Sequence, residues 1–303
     1  MKKVFVLPPG EDWIIDRFVR EWNTDNSDMS VDDPSSADVI WLLSAGSYNQ
    51  IDYEMLEDKR VMTTIHHVVP DKFTGEQYHD FVVRDNITDA YHVPNVHTKS
   101  AIAVHTQKPI HIIPYWANQN IWRTTGRMDD LRKKHGLPKD SYLIGSFVRD
   151  TEGRDLKSPK LEKGPDLLVD YIEKMLSTGH ILESEVHVVL AGWRRQYVIS
   201  RLEAAKIPYT YFERPSQEVL NDLYQTLDSY PVTARHEGGP QSLIECGLLG
   251  VPCVSRDVGI ASQVLPPCAI SDDVFLAVHE VPNVEHLKLP NGYKPYRDLI
   301  QSL

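Results

Sequence analysis

Residues 235–254 read RHEGGPQSLIECGLLGVPCV and contain the start and the end of one helix. Residues 230–234, YPVTA, come directly before this stretch and predict a short strand. Pro240 suits the first position of a helix, where its missing N–H and its fixed φ are tolerated. Gly250 suits the position that follows the last helical residue. The sequence therefore predicts a strand, a turn and a helix over 240–249, which is the repeating unit of a parallel α/β sheet.

The turn before this helix has the composition of an anion-binding loop. Gly238 and Gly239 lack a Cβ and let a ligand approach the backbone closely. The first amides of the helix, those of Gln241, Ser242 and Leu243, are expected to be free and to lie at the positive end of the helix dipole. This arrangement suits a phosphate group.

Two carboxylates flank the same turn. Glu237 lies before the helix and Glu245 lies about a turn and a half inside it. Carboxylates repel phosphate but accept hydrogen bonds from sugar and ribose hydroxyls. A ligand with an anionic middle and hydroxylated ends would match this layout. The alternative is that both are solvated acidic residues, which the dipole favours at a helix start.

The spacing of the two carboxylates resembles a known family signature. Glu237 and Glu245 have seven residues between them, and Gly250-Val251-Pro252 follows. This pattern is similar to the Glu-(seven residues)-Glu signature of retaining family 4 glycosyltransferases, also called glycosyl transferases group 1, of the GT-B fold. Residues 144–149, IGSFVR, with 163–166, KGPD, resemble the segment in which that family carries an Arg and a Lys onto the donor diphosphate. Residues 256–260, RDVGI, resemble the strand-to-loop segment after the signature.

The resemblance implies an α/β protein of the GT-B fold, with two Rossmann-like domains facing each other across a cleft. Residues 1–117 would form the acceptor-side domain and residues 118–303 the nucleotide-sugar donor domain, with the extreme C-terminus packing back on the first. The implied reaction moves a sugar from a nucleoside diphosphate sugar, UDP- or GDP-linked, to a glycan, protein or small-molecule acceptor. The anomeric configuration would be retained, and neither a metal nor another cofactor would be needed.

The resemblance also assigns roles to individual residues. Glu237 would hold the donor sugar and Glu245 the ribose. Arg149 and Lys163 would contact the diphosphate together with the helix start at 241–243. The intervening charges, Arg154, Lys157 and Lys160, alternate with acidic residues and are expected on the surface.

Two further site residues fall in the first half of the chain. Gly10 follows the first predicted strand and would let the backbone approach the donor phosphates, although a lone Gly there is also typical of an ordinary turn. His66 ends a predicted strand and matches the family's cleft histidine. Because successive strand residues face opposite ways, only one of His66 and His67 is expected to project into the cleft. A core histidine bonded to the backbone is the alternative.

Short apolar runs alternate with helix-period segments along the rest of the chain, which predicts parallel sheets. The predicted strands are 4–7, 39–43, 61–66, 90–93, 110–113, 142–147, 186–190, 209–212, 231–234 and 253–255. The predicted helices, besides 240–249, are 12–22, 48–56, 75–84, 96–105 and 128–135.

Composition narrows the class of protein. The 303 residues suffice for two domains, and the formal charge of −11 disfavours non-specific binding to nucleic acid. Four apolar residues before Pro8 are too few for a signal peptide, and no run approaches a membrane span, so a cytoplasmic location is expected. The three cysteines are expected as reduced core residues, and no Asp-x-Asp pair follows a predicted strand as a metal site.

Two other functions are compatible with these sequence features. A sugar nucleotide epimerase of the same fold would convert the donor without an acceptor. A non-catalytic nucleotide-sugar-binding subunit would bind the donor and transfer nothing.

Overall fold

The computed structural model describes residues 1–10, 14–182 and 184–303, and the chain divides into two compact units. The first comprises Met1–Pro114 and Gly292–Leu303, and the second comprises Tyr115–Asn291. Asp12, the expected first residue of the helix predicted over 12–22, lies outside the described residues.

The first unit is a parallel sheet with helical connections. Its elements up to residue 114 are β1 (Val4–Val6), α1 (Ile14–Asp25), β2 (Val39–Leu42), β3 (Arg60–Thr64), α2 (Gly75–Asp85), β4 (Ala90–Val93), α3 (Val96–Ile102) and β5 (Ile110–Ile112). The five strands pair in the order β1-β2-β3-β4-β5, and every pairing is parallel. Ser30 forms a further parallel bridge with Val4. Buried Val, Ile and Leu side chains on these strands explain the near-continuous apolar runs of the sequence.

The second unit has the same alternation of strands and helices. Its elements are α4 (Met128–Lys134), β6 (Tyr142–Ser146), β7 (Thr151–Glu152), β8 (Ser158–Pro159), α5 (Pro165–Ser177), β9 (Val186–Gly192), α6 (Gln196–Ala204), β10 (Tyr209–Glu213), α7 (Gln217–Tyr224), β11 (Tyr230–Val232), α8 (Gln241–Leu249), β12 (Cys253–Ser255) and α9 (Ala261–Val264). The short strands β7 and β8 form an antiparallel hairpin within the loop that carries the alternating charges.

The strand order of the second unit determines where a ligand would bind. Strands β10, β9 and β6 form one parallel sheet, and β11 and β12 form another. A parallel bridge between Ile144 and Ser229 joins β6 to the residue before β11. The resulting order, β10-β9-β6-β11-β12, is that of a doubly wound sheet, in which the strand order reverses between β6 and β11. Ligands of such sheets bind beyond the carboxyl ends of the strands at that switch point.

The last helix, α10 (Lys294–Ser302), belongs to the first unit. Tyr296 on this helix is fully buried and packs against Trp22 and Trp41, with ring centroids 6.2 and 5.4 Å away. The hydroxyl of Tyr293, just before the helix, donates to Asp25 at 3.0 Å. Aromatic burial of this kind provides a large apolar area that holds the C-terminal segment on its unit.

The predicted α/β class with two Rossmann-like units is confirmed. The predicted helix over 48–56 is wrong, because the chain forms two 3₁₀ turns, Ala45–Gln50 and Tyr53–Leu56. Ile51 between them is extended, and the Asp52 side chain accepts a hydrogen bond from Glu54 N and starts the second turn. The cysteine prediction is wrong in one respect, since Cys268 is exposed while Cys246 and Cys253 are buried.

Candidate functional site

The loop after β6 and the loop after β11 touch at the switch point of the second unit. Gly164 adopts a left-handed φ of +60°, and a Cβ there would lie 1.9 Å from the carbonyl oxygen of Thr233. The Thr233 hydroxyl in turn donates to the carbonyl of Gly164 at 2.8 Å. Only glycine permits this close approach of the two backbones. The approach fixes the positions of the residues on either side of Gly164 and Thr233.

Neighbouring hydrogen bonds extend the same junction. The amides of Arg235 and His236 donate to the carbonyl of Glu162 at 2.8 and 3.1 Å. The Arg235 guanidinium forms a bidentate pair with Asp166, with N–O distances of 2.8 and 2.6 Å. This pair lowers the pKa of Asp166, chiefly through its hydrogen bonds, and raises that of Arg235. The contacts of Glu162 and Asp166 therefore hold the two loops together on both sides of Lys163 in the sequence.

The junction brings together Lys163 and Glu237, two residues to which the family resemblance assigns parts of one donor site. Lys163 Nζ lies 2.7 Å from Glu237 Oε1. Both side chains are largely shielded, with 18% and 12% of their surface exposed. They line a solvent-open cavity together with Ser146, Thr233 and Ser242. This cavity lies at the carboxyl ends of β6 and β11.

The start of α8 differs from the prediction at two residues. Pro240 precedes the helix as its cap residue, with an extended ψ of 141°, and Gln241 is the first helical residue. The expectation that the Leu243 amide is free is wrong, because Leu243 N donates to the carbonyl of Pro240 at 3.2 Å. The helix ends as predicted, at Gly250 with a left-handed φ of 74°.

The Gly238-Gly239 turn is packed from behind by residues 256–260. Ile260 N donates to the Gly239 carbonyl at 2.6 Å. A Cβ on Gly259 would lie 2.2 Å from that same oxygen, and its φ is +57°. The two segments that resemble the family signature and its downstream loop are therefore in direct contact. Ser242, which is 7% exposed, lines the cavity beyond this turn.

Gln241, the first residue of α8, carries an unsatisfied polar group. Its side-chain Nε2 is buried and, within the described part of the chain, has no hydrogen-bond acceptor. A buried donor without a partner is costly, and such groups are often found where a ligand completes the hydrogen bonding.

Glu245 is buried, with 5% of its surface exposed. Its Oε2 accepts a hydrogen bond from the hydroxyl of Tyr224 at 2.7 Å. Burial, followed by the charge of Glu245, raises the pKa of Tyr224 well above its usual value, so this phenol remains a donor. The Tyr224 ring also contacts Phe147 and Tyr230, with centroids 4.7 and 5.6 Å away. The carboxylate is therefore oriented by an aromatic cluster.

Arg149, the second predicted phosphate ligand, lies over the ring of Trp193. Its guanidinium carbon is 4.9 Å from the ring centroid, and its Nε donates to the Thr151 carbonyl at 3.2 Å. Its role toward a donor stays a prediction.

The structure adds a buried ion pair that sequence reasoning missed. Asp150 and Arg195 are both fully buried, and Arg195 Nε donates to Asp150 Oδ2. Arg195 also donates to the carbonyls of Ser146 and Ala191. The pair links the end of β6 to the start of α6. The only sequence signal is an Asp and an Arg that each follow a strand, on strands that prove to be neighbours.

The two site residues predicted in the first half belong to the first unit. His66 lies beyond β3, so the strand alternation argument does not distinguish it from His67. His66 Nε2 donates to the carbonyl of Leu43 at 2.9 Å, and burial lowers its pKa to about 3. Gly10 has a φ of +71°, and its amide donates to Asp16 Oδ1 at 3.1 Å.

The described residues contain neither a metal site nor a membrane-spanning helix. Among these residues, no group of three or more His, Cys, Asp or Glu side chains is placed to hold a metal ion. No helix in the same part of the chain combines the length and the apolar character needed to cross a membrane.

Solved structures of glycosyltransferases share the fold. Anabaena Alr3699/HepE in complex with UDP-glucose matches with a TM-score of 0.69 at 13% identity, over 91% of this chain and 88% of that chain. Sucrose-phosphate synthase from Thermosynechococcus elongatus matches with a TM-score of 0.59 at 16% identity, over 84% and 64%. The UDP-forming α,α-trehalose-phosphate synthase from Burkholderia xenovorans matches with a TM-score of 0.56 at 13% identity, over 95% and 73%.

These similarities show that the chain has the GT-B fold of those enzymes. No protein-family model and no curated protein sequence matches the chain.

Proposed function

We propose that the protein is a retaining glycosyltransferase that uses a nucleoside diphosphate sugar. The observation that carries this proposal is the contact of Lys163 with Glu237 at the switch point of a doubly wound unit. A cation and a carboxylate side by side match a donor in which a diphosphate is joined directly to a hydroxylated sugar. Two of the HepE structures contain UDP and UDP-glucose, which favours UDP over GDP as the nucleotide of this protein.

Donor binding would exchange the partners of this ion pair. The diphosphate would take the Lys163 ammonium, and the Glu237 carboxylate would then accept hydrogen bonds from the sugar hydroxyls. Such an exchange is energetically reasonable, because Lys163 would still have an anionic partner and Glu237 would still accept hydrogen bonds. In the reaction, the bond between the anomeric carbon and the diphosphate would break with its electrons on the diphosphate, while the acceptor oxygen forms a new bond to that carbon and its proton passes to the leaving diphosphate. Lys163 would stabilise that charge.

The start of α8 would complete the donor site. The amides of Gln241 and Ser242 lie at the positive end of the helix dipole, next to the cavity. The unpaired Nε2 of Gln241 would gain an acceptor from the donor. Leu243 would contribute only packing, since its amide is already bonded. Glu245, oriented by Tyr224, is proposed for the ribose hydroxyls.

The roles assigned to the first half are proposals that follow from the family resemblance. Residues 1–117 are proposed as the acceptor-side domain and residues 118–303 as the donor domain, except that the extreme C-terminus belongs to the first unit. Gly10 is proposed to approach the donor phosphates through its backbone. Because His66 is neutral over the usual assay range, we propose it as a hydrogen-bonding group for the sugar rather than a proton carrier.

An assay with a panel of UDP- and GDP-sugars tests this function against its alternatives. A transferase consumes donor and forms a new glycoside only when an acceptor is added. An epimerase changes the sugar without acceptor, and a binding subunit shows nucleotide-dependent thermal stabilisation with no turnover. Lack of stabilisation by every nucleoside diphosphate in the panel would contradict all three.

A further inference from the structure

A buried ion pair anchors the loop that carries Lys163. Residues 147–164 connect β6 to α5, whereas such strand-to-helix connections usually have about 2–6 residues. The middle of this loop, 153–158, is mostly exposed. Asp150, in contrast, is fully buried, and so is its partner Arg195, which directly precedes α6. A charged pair in such a place requires a physical reason, because burying charge is costly.

The Arg195 guanidinium connects three segments of the second unit. Its Nε donates to Asp150 Oδ2 in the loop. Its Nη1 donates to the carbonyl of Ala191 on β9 at 2.9 Å and to the carbonyl of Ser146 on β6. Its Nη2 donates to the Ser146 hydroxyl at 2.9 Å. One side chain therefore fixes the loop relative to the carboxyl ends of two neighbouring strands.

Both carboxylate oxygens of Asp150 accept hydrogen bonds. Oδ2 accepts from Arg195, and Oδ1 accepts from the hydroxyl of Thr151 at 2.6 Å. The Thr151 hydroxyl in turn accepts from the amide of Tyr197 at 2.9 Å. The Thr151 amide donates to the carbonyl of Arg194 at 3.1 Å. Because the β7-β8 hairpin begins at Thr151, these bonds attach its base to the start of α6.

Backbone hydrogen bonds connect Asp150 to Lys163. The amide of Lys160 donates to the carbonyl of Asp150 at 2.7 Å, and the amide of Lys163 donates to the carbonyl of Lys160 at 2.9 Å. The second bond closes the 3₁₀ turn Leu161–Lys163. Gly164 fixes the far end of this turn against the loop after β11, and Asp150 fixes its near end. The position of the Lys163 side chain depends on both attachments.

Stability alone does not explain a pair of this kind. Taking two charges out of water costs about as much as their attraction returns, so apolar side chains often stabilise an interior equally well. The pair adds a defined geometry, because the planar guanidinium donates only in fixed directions. We propose that Asp150 and Arg195 are positioning residues that hold Lys163 at the donor diphosphate, a role that rests on the donor site proposed above.

Calorimetric titrations with UDP and with uridine test the positioning role. The variant Asp150→Asn/Arg195→Gln removes both charges together and so leaves no unpaired charge in the interior. It should bind UDP about tenfold more weakly than the wild type, because the charge-assisted contact of Lys163 with phosphate is displaced. It should bind uridine like the wild type. A general loss of structure would weaken both ligands, so equal losses for UDP and uridine would overturn the proposal.

The matched control is a second Arg–Asp pair, at the amino end of β6. Arg132, which is 4% exposed, donates to Asp228 Oδ2 at 2.7 Å, and the same oxygen accepts from the amide of Leu143 at 2.7 Å. Asp228→Asn/Arg132→Gln removes the same chemical groups from the same unit. This control should bind UDP like the wild type, whereas a loss equal to that of Asp150→Asn/Arg195→Gln would overturn the proposal.

The Lys163→Gln background shows whether the pair acts through Lys163. In that background, Asp150→Asn/Arg195→Gln should change the UDP affinity by less than about twofold, because the contact that it displaces is already absent. Additive losses would overturn the proposal.

Thr151→Val, which loosens Asp150 but keeps both charges, provides a second measurement if the double variant fails to fold. It should also weaken UDP binding more than uridine binding. Wild-type UDP affinity in Thr151→Val and in any folded Asp150→Asn/Arg195→Gln protein would overturn the positioning role. The donor site would still stand if Lys163→Gln alone loses UDP affinity. Failure of the wild type to bind any nucleoside diphosphate would contradict the proposed function itself, and the positioning role with it.

Discussion

The ammonium of Lys163 and the carboxylate of Glu237 lie 2.7 Å apart, although 74 positions separate them in the sequence. The contact depends on the doubly wound strand order, which places the loops after β6 and β11 side by side. It also depends on Gly164, because a side chain there would collide with Thr233. Substitution of Lys163, Glu237 or Gly164 should therefore have a measurable effect.

Glu237→Gln should lower turnover by about a hundredfold, because an amide oxygen accepts hydrogen bonds from the reacting sugar far more weakly than a carboxylate. The fold should persist, since Glu237 lies in a loop and is absent from the apolar core. Steady-state kinetics of sugar transfer measure the effect. Glu185→Gln, at an exposed position of the same unit, is the control.

The comparison with Glu245→Gln tests the division of roles. That variant should mainly raise the KM for the donor, by the equivalent of about 1.5–3 kcal/mol for a charged hydrogen bond. Equal and small effects of the two substitutions would contradict the separate assignment of Glu237 to the sugar and Glu245 to the ribose.

Lys163→Gln should weaken UDP binding by about tenfold to a hundredfold, because it removes a charge-assisted contact to phosphate. Binding of uridine, which has no phosphate, should hardly change. Calorimetric titrations with the two ligands measure this difference. Lys157→Gln, on the exposed part of the charged loop, should leave both affinities unchanged. An equal loss for uridine and UDP would show that Lys163 acts through the fold.

Gly164→Ala should lower the free energy of unfolding by more than its left-handed φ alone would cost. The added Cβ would lie 1.9 Å from Thr233 O, so the two loops must separate. The control is Gly179→Ala, since Gly179 has a φ of +70° with no atom within 4 Å of the new Cβ. In both variants the alanine must adopt a left-handed φ, which costs about 1–2 kcal/mol. Urea unfolding curves measure the difference, and equal losses would contradict the role given to Gly164.

Much of this architecture can be predicted from sequence because its signals are local. Ala90–Val93 and Cys253–Ser255 are apolar runs bounded by turn residues, and both strands have the predicted bounds. The helix end at Gly250 depends on one left-handed residue and is equally predictable. The prediction of a helix over 48–56 fails because Asp52 bonds to the backbone two residues on.

The features that sequence reasoning misses depend on strand order. Asp150 and Arg195 pair only because β6 and β9 are adjacent, and nothing at either position marks the other as its partner. The contacts of Arg149, Arg194 and Arg214 with the Trp193 ring need three strand ends to meet. Tyr224 reaches Glu245 from a different helix. Contacts of this kind require the tertiary structure, whereas helix and strand signals lie within a few residues.

The stability of the protein should fall as the pH drops below about 6.5. Burial lowers the pKa of His66 from 6.5 to about 3 and that of His92 to about 4, so the unfolded chain takes up protons that the native state excludes. Unfolding in urea at pH 7.5 and pH 5.0 measures the loss. His66→Gln should reduce the difference between the two pH values, whereas His79→Gln, at an exposed position of the same unit, should not.

Transfer activity should survive EDTA, and the product should keep the anomeric configuration of the donor. The leaving diphosphate needs positive charge, which Lys163 and the start of α8 are placed to supply without a divalent cation. Retention is proposed from the family resemblance. The assay is run in excess chelator, and the anomers are identified from NMR coupling constants. An inverted product, or activity that returns only after a divalent metal is added, would contradict the proposed mechanism.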